Sequence, residues 1–428
     1  MNRSELAALQ WAKLLDGLGR ILPSNAFYRR KLESAGVVLS DLRGPADLGK
    51  LPFTTKNELL ADQQDQPPFG TNLSWPLDRY VRIHQTSGTG GRRLRWLDDR
   101  ANWEWILTLW DEIYAAAGVR RGDRFFFPFS FGPFLGFWAA FEGACRQGYF
   151  TMAGGGMTSA ARLEAIRDNG VTIVACTPTY ALHLADLAER EGVDLPRSAV
   201  RMLILAGEPG GSLAAVRTRL ESAWGARVVD HSGMTEIGSL GVEFESLPGR
   251  LYLLESHCIA EFLAPDSDQP VAEGEVGELV MTNLGRWGSP LIRYRTGDVC
   301  RWRFDVHPEG KPFVYLDGGL IGRTDDMLWI KGNNVYPSAL ESVLRQDASV
   351  AEFQFVVDDS SVPSAVTVLV EPRAGEPAAE ALSARLEKRF QDQLYFRPAI
   401  RVVSPGALPR YEMKSRRIVR KGSKDALP

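Results

Sequence analysis

Val171-Thr172-Ile173-Val174-Ala175-Cys176 decides the class of the fold: six residues without a charge read as a strand buried on both faces. Working outward, Tyr180 to Glu191 has helical spacing, Arg201 to Ala206 is another strand run, and Ser212 to Trp224 is helical again. Arg227-Val228-Val229-Asp230 is one more run. Upstream, Arg124 to Pro128 reads as a strand and Gly136 to Gln147 as a helix. Strands alternating with helices predict a parallel sheet with crossover helices, hence an α/β fold. Ligands in such sheets bind beyond the carboxyl ends of the strands. Two polar segments stand at such ends, Gly207-Glu208-Pro209 and Ser232-Gly233-Met234-Thr235-Glu236.

The flanks read differently. Glu5 to Leu22 and Asn25 to Ala35 are helical, Ser87 to Arg95 is a glycine-rich basic loop, and Asp99 to Ala117 is a helix full of Trp and Leu. After about Leu240 the pattern alternates, through Arg250 to Leu254, Cys258 to Leu263 and Glu278 to Thr282, which predicts an antiparallel subdomain. From Gly322 the tail places strands at Phe353 to Val357 and Ala365 to Val370 around helices at Pro337 to Arg345 and Ala378 to Leu394. The expectation is a large N-terminal domain over 1–322 and a small α+β domain over 323–428.

Composition narrows the class. The 428 residues hold 50 Lys+Arg against 53 Asp+Glu, with 44% hydrophobic and 24% charged residues. A disordered chain, a collagen-like fibre and a coiled coil are excluded, and near-neutral charge argues against a nucleic-acid partner. Cys145, Cys176, Cys258 and Cys300 show no CxxC spacing, so neither a disulfide scaffold nor a zinc site is supported. The N-terminus carries Lys13 and Asp16 where a signal core would be apolar, and no stretch approaches about 20 apolar residues. A cytoplasmic protein without membrane contact is expected.

Five segments could carry chemistry. Thr86-Ser87-Gly88-Thr89-Gly90-Gly91-Arg92 offers backbone N–H groups, hydroxyls and a cation to phosphates, although an ordinary surface loop would read alike. In Ser232 to Glu236, a hydroxyl beside a carboxylate suits a phosphate contact next to a Mg²⁺ ligand, or a helix N-cap. Asp298, closing Tyr294-Arg295-Thr296-Gly297-Asp298, could hold a ribose diol or simply end a turn. Gly322-Arg323-Thr324-Asp325-Asp326 with Lys331-Gly332-Asn333, and Pro409-Arg410-Tyr411-Glu412-Met413-Lys414, complete the set. Lys414 alone would read as a solvated charge.

In this order the motifs resemble the adenylate-forming superfamily of acyl- and aryl-CoA synthetases, and within it the phenylacetate–CoA ligase family. The likeness extends to Phe27-Tyr28-Arg29-Arg30-Lys31-Leu32 and Leu51-Pro52-Phe53-Thr54-Thr55-Lys56, so it covers nearly the whole chain. The resemblance implies that Thr86 to Arg92 holds the ATP β/γ-phosphates and that Gly207, Glu208 and Pro209 line the adenine pocket. It implies that Thr235 contacts the α-phosphate, that Glu236 ligates Mg²⁺, and that Asp298 and Arg323 meet the ribose. Asp325 is the implied hinge of the small domain, Lys414 the cation bridging carboxylate and α-phosphate, and Lys331, Gly332 and Asn333 the CoA region.

The chain departs from the family pattern in places. Gly90 replaces a Thr and Arg92 a Lys in the phosphate loop, and Ser232 stands where relatives carry a Tyr that stacks on adenine. The Cys-x-Cys of zinc-bearing relatives is missing, and no zinc is expected. The implied activity is ATP- and Mg²⁺-dependent activation of an apolar, aromatic acid, followed by transfer to CoA. The expected acid pocket is formed by Phe129, Phe131, Phe134 and Trp138. Transfer to an amine or a carrier-protein thiol is the alternative within the fold, and an inactive nucleotide-binding relative the alternative outside catalysis. The family likeness is compatible with a homodimer.

Overall fold

Asn2 begins the chain's first helix, α1 (Arg3–Ile21): its side chain accepts the Glu5 N–H while the Glu5 carboxylate accepts the Asn2 N–H. The same reciprocal cap, between Thr55 and Glu58, follows α2 (Ala26–Ser34) and starts α3 (Lys56–Asp65). Leu6, Leu14, Leu18 and Ile21, spaced along one face of α1, are fully buried. The computed structural model describes residues 1–86, 93–265, 267–305, 307, 309–324, 326–330, 333–358, 365–373, 379–411, 415 and 417–421. Ser87 to Arg92, Asp325, Lys331, Gly332 and Lys414 lie outside the described residues, as do the side chains of Asn333 and Asn334.

An antiparallel hairpin of β1 (Tyr80–Gln85) and β2 (Arg95–Asp99) precedes α4 (Arg100–Ala116), which Asp99 caps. Arg95 is thus strand, not loop. Then β3 (Arg124–Phe127), α5 (Leu135–Arg146), β4 (Phe150–Ala153), α6 (Ser159–Asp168), β5 (Ile173–Cys176), α7 (Pro178–Glu191), β6 (Met202–Leu205), α8 (Ala214–Trp224) and β7 (Arg227–Met234) follow. These strands run parallel in the order β4-β3-β5-β6-β7, with every residue of β5 and β6 buried.

The sheet continues as an antiparallel meander. It is formed by β8 (Gly238–Glu243), β9 (Arg250–Leu253), β10 (Cys258–Leu263), β11 (Val276–Asn283), β12 (Tyr294–Phe304) and β13 (Val314–Arg323). The antiparallel region is therefore no separate sheet. Eleven strands run in the order β10-β11-β12-β13-β9-β8-β7-β6-β5-β3-β4. The seam is one strand: Arg227 to Asp230 of β7 pair parallel with β6, and His231 to Met234 pair antiparallel with β8. The expected strand at 227–230 consequently runs on through Ser232, Gly233 and Met234.

The small C-terminal domain has its own elements: β14 (Leu328–Ile330), β15 (Asn333–Val335), α9 (Pro337–Arg345), β16 (Val350–Asp358), β17 (Ala365–Pro372), α10 (Ala379–Leu394), β18 (Ala399–Val402) and β19 (Ile418–Arg420). Its sheet has the order β18-β17-β16-β19. Leu340, Leu344, Phe355, Val368, Leu382, Leu386 and Phe390 form a core separate from those beneath the large sheet. No described helix is long and apolar enough to cross a membrane.

Candidate active site

Thr235 and Glu236 sit in the turn between β7 and β8, at the carboxyl end of the parallel sheet. They belong to a hairpin turn and cap no helix. Gly233 is required there: a Cβ would lie 2.7 Å from the Gly238 carbonyl oxygen and 2.9 Å from the Ser239 Cα. The turn aims Glu236 inward, where its side chain is buried. Lys56 Nζ lies 3.2 Å from Glu236 Oε1, and the Tyr294 hydroxyl donates to the same oxygen at 3.3 Å. Glu236 Oε2 makes no hydrogen bond among the described residues. Burial, then the Glu236 charge, push the Tyr294 phenol well above its ordinary range, so it stays a donor.

A buried cluster holds this turn from behind. Arg286 donates to the carbonyls of Thr235 (2.7 Å) and Glu236 (3.0 Å), and grips both oxygens of Asp98 at 2.7 Å. Arg286 and Asp98 are wholly buried. Burial alone would raise the Asp98 carboxyl, but the Arg286 charge and a contact from His84 (3.5 Å) hold it below its ordinary value. Since Asp98 lies on β2, the cluster ties the Thr235–Glu236 turn to the hairpin that carries 87–92. At that hairpin's neck Thr86 donates its N–H to the Leu94 carbonyl at 3.0 Å and accepts the Leu94 N–H on its hydroxyl at 3.1 Å. The Thr86 hydroxyl thus closes the loop's neck.

Asp298 does not close a turn. It lies within β12, directly opposite Arg323 at the end of β13, and Arg323 Nη1 reaches Asp298 Oδ1 at 3.0 Å. Arg323 also donates to the Thr296 carbonyl at 3.1 Å. Gly207 has a φ of 94°, in the region that favours glycine, and turns the chain sharply after β6. The next residue, Glu208, points to the first turn of α7 and to the C-terminal domain: it accepts the Thr179 N–H at 2.9 Å and the Ser415 N–H at 2.8 Å. Pro209 completes this segment. Ser232 is half-buried on β7.

Next to β6 and the Gly207–Pro209 segment that follows it, Asp230 on β7 is buried with Glu243. Glu243 accepts the Asp230 N–H at 2.9 Å and pairs with Arg217, while Ser212 donates to the Asp230 carboxyl. Burial, then the Glu243 charge, raise the Asp230 carboxyl to about 7. Burial also lowers His231 to about 4.

The four expected pocket aromatics divide. Phe129 is buried and stacks on Phe137 at 4.1 Å between centroids, which is core packing. Phe131, Phe134 and Trp138 are partly buried. The Trp138 indole donates to the Gly132 carbonyl at 2.9 Å, and the Gln85 N–H donates to the Pro133 carbonyl at 2.7 Å, so this loop lies against the end of β1.

Lys56, Tyr294, Arg286 and Asp98 carry the geometry around Glu236, yet sequence reading gave none of them a role. Lys56 ends the Leu51-to-Lys56 segment, but its partner is distant in sequence. His257 precedes β10 and bonds Glu112, while Cys258 is buried in β10. Among the described residues no group of three or more His, Cys, Asp or Glu could hold a metal.

This combination of sheet, hairpin loop and small second domain is the frame of an adenylate-forming enzyme. The chain belongs to the AMP-binding enzyme family, matching it over residues 53–285, with the AMP-binding enzyme C-terminal domain matched over 332–421. It is 31% identical to a phenylacetate–coenzyme A ligase of Thermus thermophilus, over 96% of this chain and 95% of that protein. It is 30% identical to the phenylacetate–coenzyme A ligase of Escherichia coli, over 97% and 94%. The fold is similar to that of 2-hydroxyisobutyryl-CoA ligase in the postadenylation state with 2-HIB-AMP, with a TM-score of 0.93, 29% identity, and 99% and 91% of the chains covered. Against the same ligase with 2-HIB-AMP and CoA in the thioesterification state the TM-score is 0.75, at 30% identity over 98% and 90%. The enzyme class is that of AMP-forming acid–CoA ligases.

Proposed function

We propose that this enzyme activates an apolar, aromatic carboxylic acid of the phenylacetate type with ATP and passes the acyl group to CoA. In the first half a carboxylate oxygen attacks the α-phosphorus and pyrophosphate leaves, giving an acyl-adenylate. In the second the CoA sulfur attacks the acyl carbon, its proton is lost and AMP leaves. The observation that carries this reading is the pairing of Asp298 with Arg323 beside the braced Thr235–Glu236 turn, in a chain that matches acid–CoA ligases over nearly its whole length.

In this reading 87–92 wraps the β/γ-phosphates, Thr235 meets the α-phosphate, Asp298 and Arg323 hold the ribose, and Lys331, Gly332 and Asn333 lie toward CoA. Mg²⁺ fits Glu236, whose Oε2 makes no hydrogen bond among the described residues, with phosphate oxygens and water as the ion's other ligands. When bound, the ion neutralises phosphate charge. Lys56 and Tyr294 orient the carboxylate, and Lys414 supplies the cation at the reacting oxygens. The domains meet after residue 322, with Asp325 as pivot. The enzyme acts in the cytoplasm, where its four unpaired cysteines stay reduced, and as a homodimer, which a solution molar mass from light scattering would check.

The test is pyrophosphate release across a panel of carboxylic acids, with and without CoA. AMP and an acyl-CoA formed from an aryl acid are expected. An adenylate that leaves CoA untouched would move the reading to an amine or carrier-protein acceptor.

A further inference from the structure

Glu208 follows β6 in the large domain, yet one of its carboxylate oxygens faces the small domain. Oε1 accepts the Thr179 N–H at 2.9 Å, at the first turn of α7. Oε2 accepts two bonds from Ser415, the N–H at 2.8 Å and the hydroxyl at 2.6 Å. Ser415 is the chain neighbour of Lys414. Two residues further on, Arg417 donates to the Thr179 hydroxyl at 3.0 Å while Glu352 holds it at 2.7 and 3.1 Å. The tail is therefore pinned to one helical turn on both sides of position 416, and Thr179 serves both pins.

We infer that Glu208 is a positioning residue for the adenylation half-reaction: its carboxylate latches Ser415, and so fixes where the adjoining Lys414 stands, instead of contacting the nucleotide. This rests on the proposed role of Lys414. A carboxylate accepting from an N–H and a hydroxyl is a strong, directional clamp, and it acts on the backbone next to the cation.

The two oxygens behave differently when the domains part. The Oε2 bonds to Ser415 and the Arg417–Thr179 bond cross between domains and must break if the small domain rotates. The Oε1 bond to Thr179 lies within the large domain and survives. Glu208 is then left at the N-terminus of α7, where free N–H groups and the positive end of the helix dipole favour a carboxylate. The latch can open without stranding a charge, and close again for the next turnover.

The experiment splits the half-reactions of the full-length enzyme, using the best acid from the panel. ATP–pyrophosphate exchange reads adenylation; acyl-CoA formation from preformed acyl-adenylate and CoA reads the second half. Glu208→Gln, which swaps an acceptor for a donor at nearly constant shape, should lower exchange kcat by about 10- to 100-fold, with KM for ATP changed by less than about twofold. Ser415→Ala should lower exchange by a smaller factor and leave acyl-CoA formation at the wild-type rate. The double variant should fall no further than Glu208→Gln alone. A raised KM for ATP at constant kcat would make Glu208 a nucleotide contact and overturn the inference. Parallel loss in both halves, or fully additive effects, would overturn it too. Lys414→Ala separates the two levels of the argument. If that variant keeps exchange, the role of Lys414 on which the latch rests falls. If it loses exchange while Glu208→Gln keeps it, only the latch falls.

Discussion

Arg286 with Asp98 and Arg373 with Asp186 are the same chemical pair put to opposite uses. The first lies inside the large domain, wholly buried, with two bonds of 2.7 Å and the carbonyls of Thr235 and Glu236 on the same guanidinium. The second joins the small domain to α7: Arg373 reaches Asp186 at 2.9 Å and Glu189 at 3.3 Å, and Arg219 shares Asp186 at 2.9 Å. Arg373 keeps 27% and Asp186 34% of its side-chain surface exposed. Burial pushes the Asp186 carboxyl up, with Arg373 pulling the other way, whereas Asp98 is held down. A pair sealed from water breaks only at great cost, and a wet pair breaks cheaply. The enzyme braces the Thr235–Glu236 turn with the first kind, and uses the second where Arg373 meets α7.

Arg286→Met gives the largest expected effect. It strands the Asp98 charge in the core and should cost roughly 3–5 kcal/mol of unfolding free energy by denaturant titration. Both half-reactions should fall together, because the turn they share loses its brace. A loss below about 1 kcal/mol would break the contrast.

Lys414→Ala comes next. Loss of one positioned cation should slow adenylation by about 10²- to 10³-fold, while acyl-CoA formation from preformed adenylate stays near wild type. Equal loss in both halves would remove the reason for a breakable closure.

Asp230 tests burial without a bidentate arginine. Its carboxyl is raised to about 7, so its contribution to stability is present in acid and fades as pH climbs from about 4 through 7. The wild type should lose roughly 2–3 kcal/mol between about pH 5 and pH 8 from this group, and Asp230→Asn should not. The advantage of the Asn variant should therefore widen toward alkaline pH in thermal melts; a pH-independent difference would contradict it.

Arg373→Ala is the smallest. It should change stability by about 0–1 kcal/mol, and the ratio of the two half-reaction rates in the wild type should shift with salt in the same direction as in the variant.

What could be read from the sequence follows from how far each signal reaches. β5 and β6 are apolar at every buried position, and α9 opens on Pro337 at its first turn, so both were legible within a few residues. β4 has an exposed Phe150 and only four residues, and β13 carries Gly318 and Gly319 mid-strand; neither has a clean alternation, and both were missed. Asp298 stands out as a candidate in Thr296-Gly297-Asp298, but its place opposite Arg323 depends on strand register, which no local pattern displays. Lys56 beside Glu236, and Ser415 on Glu208, are pairings between distant segments. A lone Lys or Ser carries no mark of such a partner until the chain has folded.

One early contact bears on how the chain comes to fold at all. Thr54 bridges to Tyr294, and its hydroxyl donates to the Ile292 carbonyl across 238 positions of sequence. During synthesis the first helices must wait for more than half the polypeptide to emerge before Thr54 finds this neighbour. Lys56 waits with it for Glu236. Loop closure over such spans is slow, and the waiting chain exposes apolar surface. The contact of Lys56 with Glu236 is thus a late product of translation, and a nascent chain stalled short of residue 294 would carry its N-terminal helices without the strand that Thr54 bridges.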